Sequence, residues 1–250
     1  MVNTLTFAGV NLFTAYGVYI SGSGTFSAPE REYTFYNVPA RDGSVLGIGT
    51  RLNNIQVSYP AFIKDNFETN IAGLRSFLLS TIGYARLEDT YHQLEYREAV
   101  YEGAFDPDIS TDNKTGKFTL TFNCKPQRWL KSGENAITIT ASTSTITNPT
   151  LFPSKPLIKF NGAGSITFGG VNIQVETQML TDGYNFVYVD CETMNAYNGT
   201  DNLNKYVSFR DPNSSQYGMD APKLVAGANT ITKSGTYLTS VEITPRWYEV

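Results

Sequence analysis

The stretch LIKFNGAGSITFGGVNIQV, residues 157–175, decides the fold class. Apolar residues occupy alternate positions, and glycine interrupts them at Asn161–Gly164 and again at Gly169–Gly170. Period-two alternation lays one face of a strand on a core, while Asn and Gly supply the backbone conformations that turns need. The segment therefore reads as a pair of strands around Asn161–Gly164, with a second turn at Gly169–Gly170. The same grammar continues in NFVYVDCETMNAY (185–197), YVSFR (206–210), PKLVAGANTITKSG (222–235) and YLTSVEITPRWYEV (237–250). Short strands with turn residues at intervals of roughly 8–12 residues argue for an antiparallel sandwich. No fixed-period repeat appears, which disfavours a propeller or solenoid.

Composition agrees. The 250 residues include 15 Phe and 16 Tyr against a charged fraction of 17%, a mix that suits pleated surfaces. The net charge of −4 comes with no basic block, so direct nucleic-acid binding is not expected. No stretch approaches the roughly 18 apolar residues that span a bilayer, so no membrane insertion is expected. The opening MVNTLTFAGVNLF has no charged region followed by an apolar run and does not read as a signal peptide.

Upstream of residue 131, strands are broken by one helix. LTFAGVNL turns at Ala8–Asn11 as an opening hairpin, and an alternating run through Ile55, Val57 and Tyr59 is expected to end at Pro60. The helix, near 66–80, is announced by Asp65 with Glu68 as a capping box. Phe67, Ile71, Leu74 and Leu78 form its stripe, and Gly83 its stop. The Ser/Thr/Asn/Pro-rich stretch 131–156 reads as a junction, with ITIT as a short strand inside it. The expected domains are 1–135 and 136–250.

Catalytic chemistry finds few residues. The single histidine, His92, sits among aromatics and reads as packed or surface. A Cys124–His92 pair has no orienting partner. For Cys124 and Cys191, two buried thiols are the plainer reading than a disulfide. Glu88 and Asp89 are adjacent, so on a strand they face opposite ways. Asp106, Asp108, Ser110 and Asp112 alternate as in a calcium loop, but Thr111 and Lys117 stand where that loop needs Gly and Glu. Gly22–Gly24 and Gly47–Gly49 read as turns. No catalytic residue, metal site or cofactor is assigned, and an enzyme is not expected.

Five motifs carry a family resemblance: RLEDTYH (86–92) with Tyr96-Arg97, FNCKPQRWLKSGE (122–134), NPTLFPSKP (148–156), ITPRW (243–247), and VPARDG (38–43), where Ala40 replaces the commoner Gly. In this order the chain resembles the distal tail protein (Dit) of siphoviruses infecting Gram-positive bacteria. The resemblance implies a ring-forming N-terminal β domain, sandwich- or barrel-like, and a C-terminal galectin-like β-sandwich of the compact type. It also implies a homo-hexamer at the distal end of the virion tail, made in the bacterial host cytoplasm. Its partners would be the tail tube protein, the tail-associated hub or fibre protein, and a receptor-binding protein. The expected subunit contacts are Arg41, Asp42 and Gly43 in one loop and Arg86, Glu88, Asp89 and Tyr91 in one strand. The second reading is a carbohydrate-binding module, with Trp247 and Tyr248 as aromatic candidates.

Overall fold

The computed structural model describes residues 3–47, 49, 51–214 and 217–250; Ile48, in the expected Gly47–Gly49 turn, lies outside them. The chain is mainly β and forms two compact units, Met1–Arg128 with Val250 and Trp129–Glu249.

The first unit opens with β1 (Leu5–Phe7) and β2 (Val10–Asn11), joined by Ala8 and Gly9, both at positive φ. A short helix, α1 (Leu12–Tyr16), follows at once, because the Asn11 side chain accepts from the Phe13 and Thr14 N–H groups. Next come β3 (Val18–Ile20), β4 (Thr34–Asn37), β5 (Ser44–Gly47), β6 (Ile55–Ile63), α2 (Phe67–Ser80), β7 (Ala85–Asp89), β8 (Glu95–Tyr101), β9 (Asp108–Ile109) and β10 (Gly116–Leu130). The main sheet runs β2-β1-β7-β8-β10-β6-β3. It curls back on itself: the Ile20 N–H at one edge donates to the Asn3 carbonyl beside β1, at 3.2 Å. Inside lie Leu5, Phe7, Val57, Leu87, Leu120 and Phe122, with Phe67, Leu74 and Leu78 of α2 against them.

Two local expectations are corrected. Pro60 does not end its strand, for β6 runs through to Ile63. Pro60 faces Ser21, just beyond the last residue of β3, and its carbonyl accepts from the Ser21 N–H at 2.8 Å. The missing proline N–H thus points where the neighbouring ladder has already stopped. The capping box does not form either: Asn66 precedes α2 in the left-handed region (φ 53°) and makes no side-chain cap.

The second unit contains β11 (Ile137–Ile139), β12 (Thr143–Asn148), β13 (Leu157–Gly162), β14 (Gly164–Phe168), β15 (Val171–Val175), a single helical turn α3 (Gln178–Thr181), β16 (Val187–Asp190), β17 (Asn195–Asn198), β18 (Asp201–Asn202), β19 (Val207–Arg210), β20 (Gly227–Ser234), β21 (Leu238–Thr244) and β22 (Tyr248–Glu249). Two antiparallel sheets, β11-β21-β13-β16-β17-β18 and β12-β20-β14-β15-β19, enclose one core. The deciding stretch does not make a hairpin at Asn161–Gly164. β13 belongs to the first sheet and β14 to the second, so these residues are a corner between layers. Only glycine fits there: a Cβ on Gly162 (φ 114°) would lie 1.9 Å from the Tyr237 carbonyl oxygen.

The polar stretch 131–156 is folded into the second unit, where β11 and β12 join different sheets. Three of its polar residues, Asn148, Thr150 and Ser154, are buried and satisfied. Asn148 donates to the carbonyls of Phe152 and Leu224, Thr150 donates to the Asn148 side chain, and Ser154 donates to the Pro245 carbonyl. Composition imitates a linker here because these hydroxyls and amides replace ladder hydrogen bonds.

Candidate functional site

Arg41, Asp42 and Gly43 form the tip of a ribbon made by β4 and β5, a two-stranded sheet separate from the main one. Ala40 (φ 61°) and Gly43 (φ 76°) turn the chain, and Ala40 takes a backbone conformation that glycine adopts more cheaply. The ribbon is longer than its strands. Glu32 donates to the Arg51 carbonyl and Asn53 to that of Glu30, so the described residues of an arm pair back to a root at Glu30 and Asn53.

The arm's register pairs Phe35 with Leu46 and Tyr36 with Val45, so apolar side chains project from both faces. None is covered: Phe35 is 64% exposed, Tyr36 59% and Leu46 53%, and Tyr33, Val38 and Val45 are also exposed. Isolated two-stranded ribbons are marginal in water, and contiguous exposed apolar surface marks an interaction site. The residues alternate as in any strand; what the sequence leaves unsaid is that no core lies on either side.

Arg86, Glu88, Asp89 and Tyr91 lie on β7 and the turn after it, on the body of the unit. Their faces divide as the strand period requires. Arg86 and Glu88 pair on the outer face, where the Arg86 guanidinium also covers the Tyr96 ring at 3.8 Å. Asp89 turns inward. It accepts from the Tyr59 hydroxyl at 2.8 Å and the His92 backbone N–H at 2.8 Å, with His92 Nδ1 at 3.2 Å. Burial, then the Asp89 charge, pushes the Tyr59 hydroxyl upward, so it remains the donor. Burial also raises the Tyr91 hydroxyl.

Two residues absent from the candidate set complete this cluster. Arg97 on β8 is 6% exposed, and Arg128 on β10 pairs with Glu95 at 3.0 Å. Burial and the Arg128 charge lower the Arg97 pKa. A charged residue in an alternating strand is normally read as outward-facing, so only the register, Leu87 opposite Arg97, reveals it.

The remaining chemistry-bearing residues are used in folding. Cys124 and Cys191 are free and buried, and desolvation pushes their thiols up to about 11 and about 12. In the Asp106–Asp112 segment, Ser110 donates to Asp112 and closes a turn with Thr115 between β9 and β10. Among the described residues, no group of three or more His, Cys, Asp or Glu could hold a metal. Trp247 is 5% exposed, and Tyr248 stacks on Phe152 and meets the Trp129 ring at a tilt, so neither offers a free platform.

No protein-family model matches the chain, and no curated protein matches it significantly in sequence. Solved structures do match in shape. The SPP1 Dit protein, described as a paradigm of the hub adsorption apparatus in phages infecting Gram-positive bacteria, superposes with a TM-score of 0.61. The identity is 16%, over 100% of both chains. A chain of the phage P2 baseplate in its activated conformation with Ca gives a TM-score of 0.53 at 11% identity, covering 97% of this chain and 98% of that one. The same baseplate with Sr gives 0.52 at 11% identity and the same coverage. From end to end, this chain has the fold of a phage adsorption-hub protein.

Proposed function

We propose that this chain is the structural hub of a phage tail tip: a hexameric ring joining the tail tube to the tail-associated hub or fibre and to receptor-binding proteins. The observation that carries the reading is the arm, rooted at Glu30 and Asn53, which presents Phe35, Tyr36 and Leu46 to solvent on two faces. Such a ribbon gains stability only when something covers it. A protrusion landing on a different surface of the next copy is a heterologous contact, and heterologous contacts close into rings when the rotation is commensurate. The full-length match to a hub protein and to a baseplate chain supports a place in the tail tip. On this reading the first unit forms the annulus and the second is the galectin-like module. The role needs no reaction; the packed His92 and the buried thiols suit a protein that assembles without turning over a substrate. Native mass spectrometry of the purified chain should find hexamers, alone or with the tail tube partner. A chain that stays monomeric with that partner present would overturn the proposal.

A further inference from the structure

Residues 21–29 link β3 to the arm and cross over the Asp89–Arg97 cluster without regular structure. Their ends are tied down, by Ser21 donating to the Pro60 carbonyl and by Asn53 donating to the Glu30 carbonyl. Between those ties the segment is held by side chains alone. Among the described residues, 22–29 donate no backbone hydrogen bond to another backbone group. Arg128 Nη2 donates to the Thr25 carbonyl at 3.2 Å, and the Phe26 ring meets His92 edge-on at 5.2 Å. Gly24 sits so close that a Cβ there would lie 2.8 Å from His92 Cε1.

Opposing these contacts is what the segment touches. Against His92 and Arg128, which the segment touches, is a cavity of about 10 Å³ lined also by Tyr59, Asp89, Glu95 and Arg97. No described protein group accepts from either Arg97 Nη, and Thr25 Oγ1 and His92 Nε2 are likewise buried without a protein partner. Burying a guanidinium beside a second one, with no acceptor at either Nη, is costly, and opening the segment would hydrate Thr25 Oγ1 and the His92 edge that it touches. The closing side is weak: one carbonyl hydrogen bond, and a phenylalanine that is itself 79% exposed. Opposing contributions of this kind make a two-state element rather than a fixed loop.

We propose that residues 21–29 are a strap poised between closed and open states, latched by Arg128 and His92, and that its state sets the direction of the arm. Closing the strap aims the arm; releasing it frees the arm about its root without unfolding the sheet. The inference concerns one chain and does not need the ring. Its test is made on labelled chain diluted into unlabelled chain. Spin labels at Asp42→Cys, on the arm tip, and Arg75→Cys, on the exposed side of α2, report their separation by pulsed electron paramagnetic resonance. The native thiols are buried and stay unlabelled. The wild-type background should give a dominant narrow distance. Arg128→Met should broaden it and move it away from the closed value, while Arg128→Lys, which keeps a donor for Thr25, should largely retain it. Phe26→Ala, on the surface and outside the cluster, should broaden it in the same sense, and it decides the question if Arg128→Met fails to fold. Distributions unchanged in both Arg128→Met and Phe26→Ala, or a wild type as broad as either, would overturn the strap.

Discussion

Replacing Phe35 and Leu46 together by alanine separates assembly from folding, because the two side chains face each other across the arm and neither is buried in the body. A phenylalanine carries about 200 Å² of surface. Its 64% exposure therefore leaves roughly 130 Å² to be covered, at about 25 cal/mol per Å² or about 3 kcal/mol. Leu46, 53% exposed, adds about 1 kcal/mol when a neighbour covers it. Alanine retains some of this area, so the loss is about 3 kcal/mol per contact, roughly a hundredfold in association. The monomer should melt where the wild type does, within about 0.5 kcal/mol, since exposed positions contribute little to the fold. Sedimentation velocity across a concentration series reads the association, and thermal melting of dilute protein reads the fold. Unchanged association would mean that the arm is not the contact. A lower melting point at full association would mean that the pair stabilises the monomer instead, and either result refutes the reasoning.

Gly162→Ala places a Cβ against the Tyr237 carbonyl at a backbone angle alanine resists. It should destabilise the second unit by about 3 kcal/mol, seen as a lower melting transition; an unchanged transition would show the corner to be pliable. Asp190 is a pH-dependent contributor. Burial works to raise its carboxyl, but hydrogen bonds from Arg246, at 2.8 and 3.1 Å, and from the Glu192 N–H outweigh burial and hold it below the usual range. A depressed carboxylate contributes stability above its unfolded pKa and loses it as pH falls through the folded one. Arg246→Met should therefore cost about 2 kcal/mol at pH 7 and flatten the acid limb of the melting curve; a parallel acid limb would count against the pair.

Much of the fold was legible in particular residues. The Leu157–Val175 alternation, the turn residues Ala8 and Gly9, and the stripe Phe67–Leu74–Leu78 each announced the element that formed. The candidate surface was legible only in part. The loop containing Arg41, Asp42 and Gly43 does lie at the tip of the arm, but Phe35, Tyr36 and Leu46 look like ordinary core residues until their surroundings are known. Arg97 looks like a surface charge until its register turns it inward. Asn148, Thr150 and Ser154 look like linker until their hydrogen bonds are traced.

By itself, the chain's order of residues determined that it is built of short strands and turns, and which neighbouring side chains share a face. Period and turn chemistry are properties of a few neighbouring residues, so they survive without any tertiary context. Tertiary structure alone decided that Gly162–Gly164 crosses between sheets, that Pro60 sits where a ladder has ended, and that the arm's two apolar faces meet no core. Each of these depends on which distant strand comes alongside, and pairing is settled by the summed burial of the whole chain rather than by any segment of it.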